Sequence, residues 1–97
     1  MAAYIIGRID VTNPAGYSEY TRRTPEVIAK FGGRFLARGG KSATLEGPTE
    51  TRRVVILEFP SLERAEAFFH STEYAEVKKF RAGVAVAEFL MVDGTTA

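Results

Sequence analysis

The apolar positions of this chain keep two periods, one of two residues and one of three to four, and alternate between them along the sequence. Ala3 to Val11 is rich in β-branched and aromatic residues and stops at Thr12-Asn13-Pro14, which predicts a strand. Asn13 can cap a following helix with Pro14 in its first turn. From Ala15 to Phe31 the larger apolar residues Tyr17, Tyr20, Val27, Ile28 and Phe31 form one helical stripe. Pro25 interrupts that stripe and is expected to kink the helix or split it after Arg23. Gly32-Gly33 ends it. Arg34 to Gly39 predicts a short second strand, and Gly40 to Thr51, with Gly47-Pro48, a long hairpin connection. Arg53 to Phe59 is the strongest strand signal, with Val54-Val55-Ile56-Leu57 at its centre. Ser61 caps a second helix whose inner face is Leu62, Ala65, Phe68 and Phe69. A further helical piece from Glu73 to Arg81 sets Tyr74, Val77 and Phe80 on one side. Val84 to Val92 makes the last strand, with a polar tail from about residue 93.

The order β-α-β-β-α-β predicts an α+β domain of ferredoxin-like type, one unit over residues 1–97. Its four-stranded antiparallel sheet should carry both helices on one face. Parity along the strands then separates the two faces. One set is almost wholly apolar: Ile5, Gly7, Ile9; Phe35, Ala37, Gly39; Val55, Leu57, Phe59; Ala87, Phe89, Met91. This is the expected helix-covered core. The other set mixes Tyr4, Ile6, Arg8, Asp10, Arg34, Leu36, Arg38, Val54, Ile56, Glu58, Val86, Glu88, Leu90 and Val92. Water does not call for Ile6, Leu36, Ile56 and Leu90, and a dry core does not tolerate Arg8, Arg38, Glu58 and Glu88. Two sheets packed through these faces around a cavity would suit both kinds, so a homodimer through the open face is expected.

Composition narrows the partners. The chain is 45% hydrophobic and 26% charged, with 13 basic and 12 acidic residues for a net charge of +1. Such a balance gives no field for nucleic acid or for an anionic membrane. The N-terminal apolar run is broken by Gly7, Arg8 and Asp10, and no stretch approaches the roughly 20 residues of a membrane span. With no cysteine in the chain, disulfides and thiolate chemistry are excluded, and a cytoplasmic location is the expectation.

Certain blocks resemble a known family. Gly32-Gly33-Arg34-Phe35-Leu36-Ala37-Arg38-Gly39-Gly40, Leu45-Glu46-Gly47, Arg53-Val54-Val55-Ile56-Leu57-Glu58-Phe59-Pro60-Ser61 and Ser71-Thr72-Glu73-Tyr74 are similar to the small bacterial family named domain of unknown function 1330, within the dimeric α/β-barrel superfamily. The resemblance implies a ferredoxin-like fold and a dimer whose sheets form a barrel. It implies no activity, and the superfamily's range of enzymes shows how little the fold decides.

Candidate chemistry gathers on the mixed face. Arg8, Arg38, Glu58 and Glu88 can form a polar ring in which the arginines grip a carboxylate or enolate and a carboxylate accepts a proton. The same four can equally be ion pairs stitching two subunits. Glu58, in the most apolar strand, needs a cation, a hydrogen-bonding partner or a raised pKa, and Arg38 is the expected neighbour. Glu58 and Arg38 are therefore the catalytic candidates. The ligand-binding candidates are Arg8, Tyr4, Tyr17, Tyr20, Ile56, Glu88 and His70. The tyrosines can donate at a pocket mouth, although helix tyrosines more often edge a core. His70, the single histidine, could act as acid–base group or haem ligand, while a lone helix histidine is more often a boundary residue. No metal site is expected from one histidine and no cysteine, and no cofactor is assigned. The sequence thus supports a cofactor-independent enzyme for a small anionic or enolisable molecule, a non-catalytic ligand-binding module, or a structural dimer.

Overall fold

A computed structural model describes residues 1–95 of the chain. The elements are β1 (Ala3–Val11), α1 (Pro14–Lys30), β2 (Arg34–Arg38), β3 (Arg53–Phe59), α2 (Leu62–Phe69), α3 (Thr72–Lys78), a 3-10 turn (Lys79–Arg81) and β4 (Ala85–Asp93). The sheet order is β2-β3-β1-β4 with every neighbouring pair antiparallel. This is the expected ferredoxin-like arrangement, with β1 and β3 in the middle. Thr96 and Ala97, the end of the expected polar tail, lie outside the described residues.

Local chemistry sets the element ends. The Asn13 side chain accepts from the Gly16 amide at 3.1 Å and starts α1. Ser61 and Ser71 do the same for α2 and α3, accepting from Arg64 and Tyr74. Pro25 does not split α1, which runs unbroken across it. A proline inside a helix removes one amide and frees the carbonyl four residues earlier, and here a side chain takes up that carbonyl.

The core lies between the sheet and the helices. Ile5 and Ile9 of β1, Val55, Leu57 and Phe59 of β3, Tyr17, Tyr20, Val27 and Ile28 of α1, Phe68 of α2 and Tyr74 of α3 are all buried. Removing each such side chain from water contributes about 1.5–3 kcal/mol. The parity reading holds for β1, β3 and β4. It fails in β2, where a bulge between Phe35 and Ala37 leaves Leu36 without a partner. Arg34 pairs with Glu58 and Phe35 with Leu57, but Ala37 pairs with Ile56 and Arg38 with Val55. Ala37 therefore moves to the open face and Arg38 to the helix face. The expected Arg38–Glu58 neighbourhood is corrected on this ground.

Candidate functional site

The bulge aims Arg38 into the mouth of a pocket between the helices and the sheet. Its guanidinium lies 4.3 Å above the centre of the Phe35 ring and donates to the Thr21 carbonyl. Thr21 stands four residues before Pro25, so this is the carbonyl that the proline leaves without its helical donor. Pro25 and the bulge, in different elements, together fix one arginine.

A second arginine enters from β3. Arg53 shares the parity of Val55 and Leu57, and Arg38 and Arg53 line the pocket with Ile5, Ile9, Tyr17, Tyr20, Thr21 and Phe35. The Arg53 guanidinium sits 5.8 Å from the Tyr17 ring centre, and its buried Nε meets no acceptor among the described residues. Gly39 makes room for it. With φ +71 it occupies the left-handed region, and a Cβ there would collide with the Arg53 guanidinium.

The back of the pocket is phenolic. The Tyr20 and Tyr74 hydroxyls are 2.6 Å apart, so one proton is committed to that bond and the other hydroxyl proton is free to be donated. Burial holds Tyr17, Tyr20 and Tyr74 above the ordinary tyrosine pKa, and for Tyr20 the proximity of Tyr74 adds to it. All three are proton donors at neutral pH. Behind them stands Arg81, 9% exposed, with its guanidinium 5.6 Å from the Tyr20 ring centre and 5.0 Å from that of Phe89. Its buried Nη1 also lacks an acceptor among the described residues. Among the described residues that line the pocket, none carries a carboxylate or imidazole. The cavity is small, about 30 Å³. It is a slit with room for one or two waters, and an organic ligand requires Arg38 or its neighbours to move.

The other predicted site residues are elsewhere. Glu58 lies on the open face and is held by Arg34 at 2.8 Å, with side chains 24% and 70% exposed. Tyr4 pairs with Glu58 across the β1–β3 ladder and Ile56 with Ile6, both on that face. Arg8 pairs in register with Glu88, but the ion pair of Glu88 is with Arg52, which also binds Glu50 at 2.8 Å. Hydrogen bonding to Arg52 holds both carboxyls below their usual range, Glu50 at about 2. Leu36, Val86, Leu90 and Val92 are exposed among these charges. His70 caps the end of α2, exposed, beside a second groove formed with Glu66, Phe69, Phe89, Leu90 and Met91. Of the nominated residues, the structure brings Arg38, Tyr17 and Tyr20 together.

The profile of the domain of unknown function DUF1330 matches residues 2–95. The chain belongs to that family. No curated protein matches it in sequence. Among solved structures, it is similar to RPA0582, a protein of unknown function from Rhodopseudomonas palustris, at 18% identity and a TM-score of 0.78 over 99% of this chain and 84% of that one. SnoaB, a cofactor-independent oxygenase from Streptomyces nogalater, is similar at 13% identity and a TM-score of 0.69, over 99% and 95%. A NIPSNAP family protein with unknown function from Agrobacterium tumefaciens str. C58 is similar at 20% identity and a TM-score of 0.58, over 97% and 88%. At these identities the likeness is one of fold.

Sequence reasoning passed over Arg53, Arg81, Arg34 and Arg52 in this DUF1330 chain. A signal existed for Arg53, whose parity is that of the core set. Parity had put Arg34 on the same face as Glu58, but the register that pairs them, shifted by the bulge, left no mark in the residue pattern.

Proposed function

We propose that this protein binds a small organic anion in the pocket between its helices and its sheet. The observation that carries the reading is a donor excess. Arg38, Arg53 and a spare tyrosine hydroxyl proton face a cleft whose walls are otherwise apolar and hold no carboxylate. A buried donor without an acceptor costs about 1–3 kcal/mol, more when charged, and a ligand that brings oxygens removes that cost. The apolar body of the ligand would lie against Ile5, Ile9 and Phe35.

The chemistry such a pocket favours is stabilisation of negative charge on oxygen, as in a carboxylate or an enolate. It is compatible with a cofactor-independent enzyme as well as with plain binding. One ligand cannot use Arg38 and Glu58 together, because they point to opposite faces of the sheet. Any proton acceptor would have to come from outside the pocket wall or from the substrate itself.

We also infer that a second copy covers the open face. Three of its carboxylates, Glu58, Glu50 and Glu88, are already met by Arg34 and Arg52. It exposes four aliphatic side chains in the midst of them, the mixture suited to a self-complementary contact. A cytoplasmic setting accords with this reading, and no helix among the described residues is long and apolar enough to cross a membrane.

The test of the anion site is calorimetric titration with hexanoate. The wild type should bind it and Arg53→Met should bind it at least about tenfold more weakly. Equal affinity in the two proteins would remove the reading.

A further inference from the structure

The pocket of Arg38 and Arg53 adjoins a second hollow. Three of its lining residues, Ile5, Phe69 and Phe89, also line the groove beside His70, so one partition serves both. The two differ in size, about 30 Å³ for the inner cavity and about 120 Å³ for the groove. The described residues that line the groove are apolar except for the exposed Glu66 and His70. It could house a hydrocarbon chain and offers nothing to a second charged head.

The register of the sheet shows what the partition is. On the helix face three rungs cross the strands: Arg53, Ile9 and Ala87, then Val55, Gly7 and Phe89, then Leu57, Ile5 and Met91. Arg53 stands on the first rung and Met91 on the third, about 13 Å apart along the strand direction. The middle rung has no side chain on β1, and the Phe89 ring takes its room. A Cβ on Gly7 would stand inside the van der Waals envelope of that ring. Phe89 therefore fills the trough between Ile5 and Ile9. It leans on Phe69 with ring centres 5.6 Å apart, and both side chains are half-buried. The partition consists of two rings on rotatable bonds, over a strand position that stays empty when Phe89 turns away.

We propose that the ligand of this pocket is a carboxylate with a long apolar chain, its head held by Arg38 and Arg53 and its chain laid over Gly7, where the Phe89 ring now lies, into the groove of Phe69, Leu90 and Met91. This rests on the reading of the pocket as an anion site. The inner cavity alone is too small for an organic molecule, and the chain gains its room by turning Phe89 outward. The apolar area that the chain removes from water offsets the contacts that the ring gives up. Phe89 is thus the residue that sets how long a chain the pocket takes.

The experiment is calorimetric titration of the wild-type protein with hexanoate, octanoate and decanoate. Affinity should rise at least about tenfold from hexanoate to decanoate, where complete burial of the chain would give about fourfold for each added methylene. Arg53→Met should weaken decanoate at least about tenfold, as for hexanoate. Met91→Asp sets a carboxylate at the far end of the chain and should bring decanoate to within about twofold of hexanoate. Equal affinity along the series in the wild type would overturn the long chain and leave the anion site standing. A rise that survives Met91→Asp would overturn it as well, since the chain would then lie elsewhere. Decanoate binding that is indifferent to Arg53→Met would show the groove acting apart from the arginines, and would end the continuity of the two hollows. If none of the three carboxylates binds, the anion site itself fails and this inference falls with it. Should Met91→Asp not fold, Met91→Gln takes its place and should reduce the rise at least about threefold.

Discussion

The two faces of this sheet use arginine in opposite ways. On the open face, the half-buried carboxylates Glu58 and Glu50 and the exposed Glu88 each have a guanidinium. Arg34 holds Glu58, and Arg52 joins Glu50 to Glu88. On the helix face, Arg38, Arg53 and Arg81 meet a backbone carbonyl, aromatic rings and, among the described residues, no carboxylate. The open face is largely paired in its charges and hydrophobically unfinished. The helix face is the reverse, well packed but short of acceptors. What each face lacks indicates what would cover it: apolar surface for the first, an anion for the second.

The largest effect should come from the packed side. Tyr74 is 2% exposed and stacks against Phe68 and Phe69, so Tyr74→Ala should cost about 3–5 kcal/mol in urea denaturation. Tyr74→Phe keeps the ring and strips the Tyr20 hydroxyl of its partner, for about 1–3 kcal/mol. If Tyr74→Phe were neutral, the hydroxyl pair would have no part in the pocket's energetics. The same tyrosines set an alkaline limit. Their folded pKa values lie above the ordinary 10.0, so the folded state keeps protons that the unfolded state gives up. Stability should be intact below about pH 10 and fall as the pH rises beyond it. An alkaline melt without that decline would contradict the buried hydroxyls.

The open face should respond in association and not in folding. Leu90 is 55% exposed, and Leu90→Asp should leave monomer stability within about 0.5 kcal/mol. The dimer should weaken by about 2 kcal/mol or more, roughly thirtyfold, in sedimentation equilibrium. A wild-type protein that sediments as a monomer would end the comparison on this side. A smaller effect belongs to Gly39. Gly39→Ala places a side chain at φ +71, costs about 1–2 kcal/mol and displaces Arg53. Hexanoate affinity should drop with it. Unchanged affinity would show that Arg53 does not need its place under the β2–β3 turn.

Much of this was legible in the residues. Two periods of hydrophobicity gave the six main elements and their order, and parity separated the faces in three strands of four. The exception decided the site. One extra residue, Leu36, reverses everything after it in β2, and nothing in Arg34-Phe35-Leu36-Ala37-Arg38 announces a bulge where apolar and charged residues already alternate. Of the ways Glu58 could be accommodated, the structure shows a cation, Arg34 and not the expected Arg38. Pro25 read as a helix breaker because a sequence shows the lost amide and not the arginine that would take up the Thr21 carbonyl. Arg81 closed a helical stretch in the sequence like any surface charge. Its burial follows from the 3-10 turn that folds it back against β4, a tertiary event without a local signature.

The smallest effect expected is at Arg52, and it tests whether the open face is complete by itself. Glu50 and Glu88 have folded pKa values below the ordinary 4.5, chiefly through hydrogen bonds to Arg52. The folded state therefore binds fewer protons than the unfolded one in mild acid. The contribution of the pair is present above about pH 4.5 and is lost as the pH falls toward 2. The Glu88 side chain is 64% exposed, so water and salt screen most of the gain. Arg52→Ala should accordingly make the acid midpoint shift slightly upward at low ionic strength. In about 1 M salt, where the screening length shrinks to about 3 Å, the difference should vanish. A large, salt-resistant loss would mean that Arg52 is buried in use, and so that its cluster lies inside the contact between two copies and not at its wet rim.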